Sequence, residues 1–366
     1  MLRNNYRCRR ARFESLEKKN LLAGDVLVNV VDGALNIEGD AADNQIAITA
    51  GAEAGSYVIT GLEGTILLPV DPVTDLPGAP VSTLTVTDVH GRANIDLGEG
   101  DDLVALFDAE FRGKLKIETG DGDDRVLIGA QGDVGSELNE ILSDELNVEV
   151  KGKLSIDTGL GDDEIEVGDA SIYGHIKVNA GDGADLVSLG DATAVDGALD
   201  SLLSDLPDAT LKVHGAIDAN LGEGDDQLAM TQVSVRGSAY VDSGLGDDDL
   251  DIRLSHLSHL VIDAGEGADD VEVVDSVFAA LNVKLGDGDD QLATANLRAK
   301  LAIISGDAGE DTLNELADSQ IVHRIVRGIE VPPLDDVHIV RHLGGLPFFG
   351  RGGFFGINRL LGRLFC

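Results

Sequence analysis

The sequence predicts an all-β fold: a right-handed parallel β-helix, or β-solenoid, with coils of about 21 residues and two short helical insertions. Three observations lead there. A run G-x-G-x-D-x-aliphatic, or a close variant, occurs nine times between 97 and 313. The Asp of that run advances in steps of 22, 39, 22, 41, 22, 21, 21 and 21, a period near 21 interrupted by two insertions of 17 to 20 residues. Aliphatic residues alternate with polar ones on both sides of each run, the period of a strand with one buried face.

Within a coil, the columns assign the elements in order. Counting back from the first Gly, position seven holds Gly91, Gly113, Gly152, Gly174, Gly215, Gly237, Ser258, Ala279 and Ala299, a small-residue corner. Position five holds Ala93, Leu115, Leu154, Ile176, Ile217, Ala239, Leu260, Leu281 and Leu301; position three holds Ile95 through Ile303. These form a first strand. The Gly-rich turn follows, then a second strand with pairs such as Val104/Leu106 and Val126/Ile128, a bend and a short third strand. The last run, SGDAGEDTL at 305–313, reads as having one extra residue. No single coil buries its apolar face, so stacking on a neighbour is required. His256 falls in the column of Phe111, Val150, Ile172, Val213 and Val235, where a half-buried structural role is expected.

Both insertions leave between the second and third strands, at about 130–148 and 190–209. Leu138, Ile141 and Leu142 in one, and Leu199, Leu202, Leu203 and Leu206 in the other, have helical spacing. Either two helices side by side or two independent loops would satisfy that pattern. Residues 26–90 read as degenerate coils and an N-terminal cap: Gly33, Leu35 and Ile37 fit the columns, and Asn44 stands where the others have Asp. The Pro-rich stretch 69–80 is a surface loop. The nine-run body is taken as 91–320.

Charge separates the ends from the body. Residues 1–20 carry 7 Lys/Arg and 2 Asp/Glu, residues 322–366 carry 6 and 3, and 21–321 carry 14 and 62, a net −48. Residues 1–25 form a basic, sorting-like segment without the apolar centre of a secretory signal. Residues 321–366 form a C-terminal cap and a basic Phe/Gly-rich tail, open to reading as an export signal, an interfacial segment or a cap. Cys8 and Cys366 build no disulfide framework. A net charge of −40 excludes nucleic acid as a partner, and no apolar run is long enough for a transmembrane helix.

Stacked coils would place Asp102, Asp124, Asp163, Asp185, Asp226, Asp248, Asp269, Asp290 and Asp311 in one row, about 4.8 Å apart. Two unit charges at that distance repel by about 0.9 kcal/mol even at the dielectric constant of water. Most turns add a second acid just before, such as Asp101, Asp123, Asp162 and Asp225. Carboxylates and turn carbonyls, with no Cys or regular His column, suit several Ca²⁺ ions better than Zn²⁺. A solvated acidic corner without metal is the competing interpretation.

These runs resemble the haemolysin-type (RTX-like) calcium-binding repeat, G-G-x-G-x-D-x-U-x, across 97–313. The resemblance implies Ca²⁺ held at the turns by the nine Asp just named and an extracellular, millimolar-calcium setting; the leading expectation is a secreted or cell-surface bacterial protein with a structural or adhesive role, not an enzyme. The first Gly of the family motif is replaced by Leu, Thr, Ala or Ser in eight copies, and the motif occurs once per coil. RFESLEKKNLLAGD at 12–25 is weakly similar to the LEPR-XLL-type segment of bacterial surface proteins.

Of the 14 Lys/Arg in the body, 12 lie on the first strand or beside its corner. Arg92, Arg112, Lys114, Lys116, Lys151, Lys153 and Lys177 make a stripe that either balances local charge or meets an anionic polysaccharide or other cell-surface component. The alternative to a calcium-binding structural protein is therefore a β-helix lyase, epimerase or binding module for anionic glycans. No nucleophile elbow, P-loop or dinucleotide fingerprint is present, and no acidic pair stands out as an acid/base couple.

Overall fold

The computed structural model describes residues 24–71, 74, 76–130, 147–190, 210–315 and 319–329. The basic N-terminal segment, both insertions with their expected helices, and the Phe/Gly-rich tail lie outside these residues.

Every element among the described residues is a strand. They form two sheets, of 17 and 12 strands, and nearly all pairs are parallel. Each copy contributes a strand to both sheets and pairs with the same strand of the next copy. In the larger sheet Leu115–Asp121 lies between Ala93–Asp96 and Leu154–Leu160, with Ile117 opposite Ile95 and Ile156. In the smaller sheet Arg125–Ile128 lies between Leu103–Phe107 and Glu164–Val167. The short strands before each corner, such as Val148–Val150 and Ala170–Ile172, add to the larger sheet. Alternation decides which side faces in. In Leu154–Leu160, Leu154, Ile156 and Thr158 are buried and the residues between them are not. Aliphatics from both sheets form one continuous cluster from Val26 to Leu313.

Glycine is required where copies touch. Gly120 and Gly122 have φ of 108° and 145°, conformations that L side chains rarely adopt. A Cβ on Gly120 would stand 1.7 Å from the Gly98 carbonyl oxygen.

The registers explain the change in period. Val235 pairs with Leu257, 22 residues on, but Ser238 pairs with His259, 21 residues on, across an irregularity. Two corner residues, Arg236 and Gly237, are answered by Ser258 alone. The short and long strands then run together, as Val233–Leu245 and His256–Asp263. This corrects the expectation for His256: Leu257 takes the core column, and His256 points outward beside Ser234 and Val277. The last copy also differs from its sequence reading. Ala302 and Ile304, not Leu301 and Ile303, pair with Leu281 and Val283 and are fully buried or nearly so. Asp307 therefore stands where a first glycine would be, and there is no extra residue.

The two ends close differently. At the N-terminal end Ala34–Glu38 and Gln45–Ala50 pair in parallel with the first copy. Asp25–Val31, Tyr57–Gly61 and Thr83–Val86 then fold back antiparallel. Tyr57 enters the core there, stacked on Phe111 at 5.0 Å, with its hydroxyl donating to the Glu110 carbonyl. At the other end Gln320–Arg327 adds one more layer to the larger sheet, across the boundary drawn at 320/321. Arg324 and Glu315 stand in columns that Ala302 and Thr294 fill one layer earlier, and they pair at 2.6 Å. Charged residues in columns that are uncharged one layer earlier end a stacked core.

A candidate calcium column in the Gly-Asp turns

The structure brings the nine expected Asp together. Asp102, Asp124, Asp163, Asp185, Asp226, Asp248, Asp269, Asp290 and Asp311 occupy the same place in successive turns, and each is at most 3% exposed. Position follows from the local fold. The glycine pair turns the chain from one sheet toward the other, and the Asp side chain is tucked beneath that turn. In the last turn, Asp311 Oδ2 lies 1.7 Å from where a Cβ on Gly306 would be.

The carboxylates form a ladder. The backbone N–H of Asp102 donates to Oδ1 of Asp124 at 2.8 Å, that of Asp124 to Asp163 at 2.8 Å, and that of Asp163 to Asp185 at 2.9 Å. The series continues through Asp226, Asp248, Asp269 and Asp290 to Asp311. It begins at Asn44, whose N–H donates to Asp102 at 2.7 Å. Each Oδ1 thus satisfies a buried amide of the copy before it. Each Oδ2 is buried and has no hydrogen-bond partner. An unsatisfied buried acceptor costs about 1–3 kcal/mol, more when charged.

Asn44 shows what the pocket wants. It sits in the same column, and its Nδ2 donates to the carbonyls of Asp40, Ala42 and Leu97. Positive charge density is supplied to turn carbonyls by an amide. An aspartate in that position has only oxygens to offer. The nine other turns therefore lack the electropositive partner that the first possesses.

Electrostatics point the same way. Burial, ahead of the neighbouring carboxylates, pushes Asp102 up to about 8, Asp163, Asp226 and Asp269 to about 7, and Asp124 and Asp185 to about 6. Asp248 and Asp290 are raised for the same first reason. At an effective dielectric constant near 20, neighbours about 4.8 Å apart would repel by about 3.5 kcal/mol. The buried column must either take up protons or be neutralised by cations.

A second, exposed ladder runs the opposite way, which the sequence did not reveal. The N–H of Asp123 donates back to Asp101, that of Asp162 to Asp123, and that of Ala184 to Asp162. It breaks ahead of Asp225 and Asp289, because Ala184 and Ala268 precede them. It resumes from Asp247 to Asp225, from Ala268 to Asp247, and from Glu310 to Asp289. The signal was the acid before each buried Asp; its direction needed the register.

Among the described residues no three Asp, Glu, His or Cys side chains converge as a metal-holding group. A cation in the column would therefore draw one carboxylate from each turn and complete its shell with backbone carbonyls. That is oxygen-only ligation, which Ca²⁺ accepts with flexible geometry.

The stripe cations lie on the outer face of the larger sheet. Lys116 pairs with Glu118, and Lys151 with Glu149. Arg92, Arg112, Lys114, Lys153 and Lys177 make no ion pair among the described residues. Tyr173 and His214, not anticipated as part of this face, stack at 4.6 Å, with Lys151 over the other face of Tyr173 at 4.3 Å. No helix among the described residues is long and apolar enough to cross a membrane. No protein-family model matches the chain, and neither a curated protein nor a solved structure does.

Proposed function

We propose that this protein is a calcium-binding β-solenoid of the cell exterior, with a structural or adhesive role. In this reading the two parallel sheets are walls of one right-handed coil, wound once per copy. Ca²⁺ occupies the turns along the column Asp102–Asp311. The single observation that carries the reading is the set of nine buried Oδ2 atoms without partners, beside an Asn44 that fills the same place with an amide. Calcium would supply the missing positive charge and link each turn to the next. Binding energy then adds directly to folding stability, by about 2.7 kcal/mol for a site at a hundredfold excess over its Kd. The exterior setting rests on the resemblance of the turns to the haemolysin-type repeat, and extracellular calcium modules bind at about 10⁻⁴–10⁻³ M.

Thermal unfolding followed by circular dichroism at neutral pH, with calcium and then with chelator, tests the reading. A melting temperature that climbs with calcium supports it. An unchanged melting temperature and β signal across millimolar calcium would remove the metal.

A further inference from the structure

The outer face of the larger sheet carries a feature that calcium does not explain. Arg92, Lys114 and Lys153 occupy one column on three successive strands, because Leu115 pairs with both Ala93 and Leu154. His175 continues that column, since Leu154 pairs with Ile176. Arg112, Lys151 and Tyr173 follow Phe111, Val150 and Ile172, which are in register, and form the column on one side. Lys116 and Lys177 lie in the column on the other side, separated by Ser155. Like charges stand about 4.8 Å apart here, yet the central cations have no acid paired to them. On a chain of net charge −40, local charge balance would have placed acids among them. The acids stand around them instead: Glu110 and Glu149 along one edge, Asp96, Glu118 and Asp157 along the other, and Asp218 beyond Lys177, where the Lys116–Lys177 column ends.

We infer that this band binds one extended polyanion, an acidic polysaccharide with a carboxylate or sulfate on successive sugars. Width selects the partner. Lys114 and Lys116, alternate positions along one sheet edge, are about 6.6 Å apart, and the column of Arg112, Lys151 and Tyr173 lies across the corner at Gly113, Gly152 and Gly174, so the band is two columns wide with a third on its rim. A wider anionic body, such as duplex DNA or the acidic edge of a second copy, meets the flanking carboxylates and is repelled. A single sugar chain lies within them. Both faces of Tyr173 are already covered by Lys151 and His214, so contact is through charge and hydrogen bonds rather than ring stacking. Binding must then be salt-sensitive. The band uses none of the column Asp and goes beyond the calcium reading.

The test is equilibrium binding of the full chain, in calcium, to polygalacturonate, a sulfated glycan, a neutral glucan and a single-stranded oligonucleotide. An acidic glycan binds at low salt and weakens about tenfold or more toward physiological ionic strength, and the neutral glucan does not bind. The pair Lys114→Glu and Lys153→Glu weakens binding about tenfold, whereas Lys300→Glu, in the last copy and well beyond the band, changes it less than about twofold. If the charge reversal disturbs folding by circular dichroism, Lys114→Gln with Lys153→Gln gives a smaller loss in the same direction. Four results overturn the inference: no acidic glycan bound at low salt, equal binding of the oligonucleotide, undiminished binding by folded double variants, or self-association that the double variants abolish. None of these depends on whether the turns hold calcium, which the melting experiment decides separately.

Discussion

Two columns of acid run side by side through the turns, and adjacent residues in sequence behave oppositely. Asp226 is 1% exposed; Asp225, one residue earlier, lies on the exposed ladder. Both use Oδ1 to accept a neighbouring copy's N–H, but Asp226 accepts from the copy before and Asp225 from the copy after. Copies lacking the exposed acid, at Ala184 and Ala268, still pair normally in both sheets. Along the buried column the only departure among the described copies is Asn44, at the capped end. The difference teaches that the acidic turn does two jobs. One acid braces the stack cheaply in water; the other is held where its charge must be answered.

Several experiments would break or sharpen that contrast. The largest expected effect is chelation at neutral pH, which leaves the buried column charged and unanswered. Stability should fall by several kcal/mol, at about 2.7 kcal/mol for each well-saturated site lost. Next is pH in chelator. Asp102, Asp124, Asp163, Asp185, Asp226 and Asp269 are raised from an ordinary value near 4 to about 6–8. The metal-free fold thus holds protons that the unfolded chain has released. The contribution of these groups is fully present below about pH 4 and is lost as pH rises through about 8, opposite in sign to ordinary acid denaturation. Urea unfolding at stepped pH checks the sign. Calcium should flatten the slope by replacing the protons.

Point changes come third. Asp226→Ala strands the buried N–H of Asp185 and should cost about 3 kcal/mol in calcium. Asp225→Ala should cost about 0.5 kcal/mol, since nature already tolerates Ala184 and Ala268. Equal costs for the two would erase the contrast. Asp226→Asn imitates Asn44: in chelator it should leave the protein as stable as, or more stable than, the parent, while reducing the gain from calcium. The smallest effect is a repair. Ala184→Asp should restore a rung to the amide of Asp225 and add a few tenths of a kcal/mol, visible as a small rise in urea midpoint.

Much of this was legible from spacing alone. The nine-copy period, the aliphatic columns and the row of Asp102 to Asp311 all follow from residues recurring at fixed intervals, and parallel in-register pairing preserves such intervals. What failed was local. The loss of one corner residue at Ser258 shifts His256 out of the core column, and the rule of counting back from the turn could not see a bulge between them. In the last copy the same counting mistook Asp307 for part of an insertion, because it assumed that the first turn position must be Gly. The opposed ladders were hidden for a different reason. They connect atoms of different copies, and only register decides which Oδ1 meets which N–H. Charge balance was likewise invisible: Lys116 and Lys114 look alike in sequence, but only Lys116 finds a Glu beside it.

The most direct measurement is a crystal structure grown in calcium, with the ion located by its anomalous scattering. The account predicts ions along the buried column, with Oδ2 of residues such as Asp163, Asp226 and Asp269 about 2.3–2.6 Å from the metal. Calcium found only on the exposed acids, with those Oδ2 atoms left bare, would contradict it.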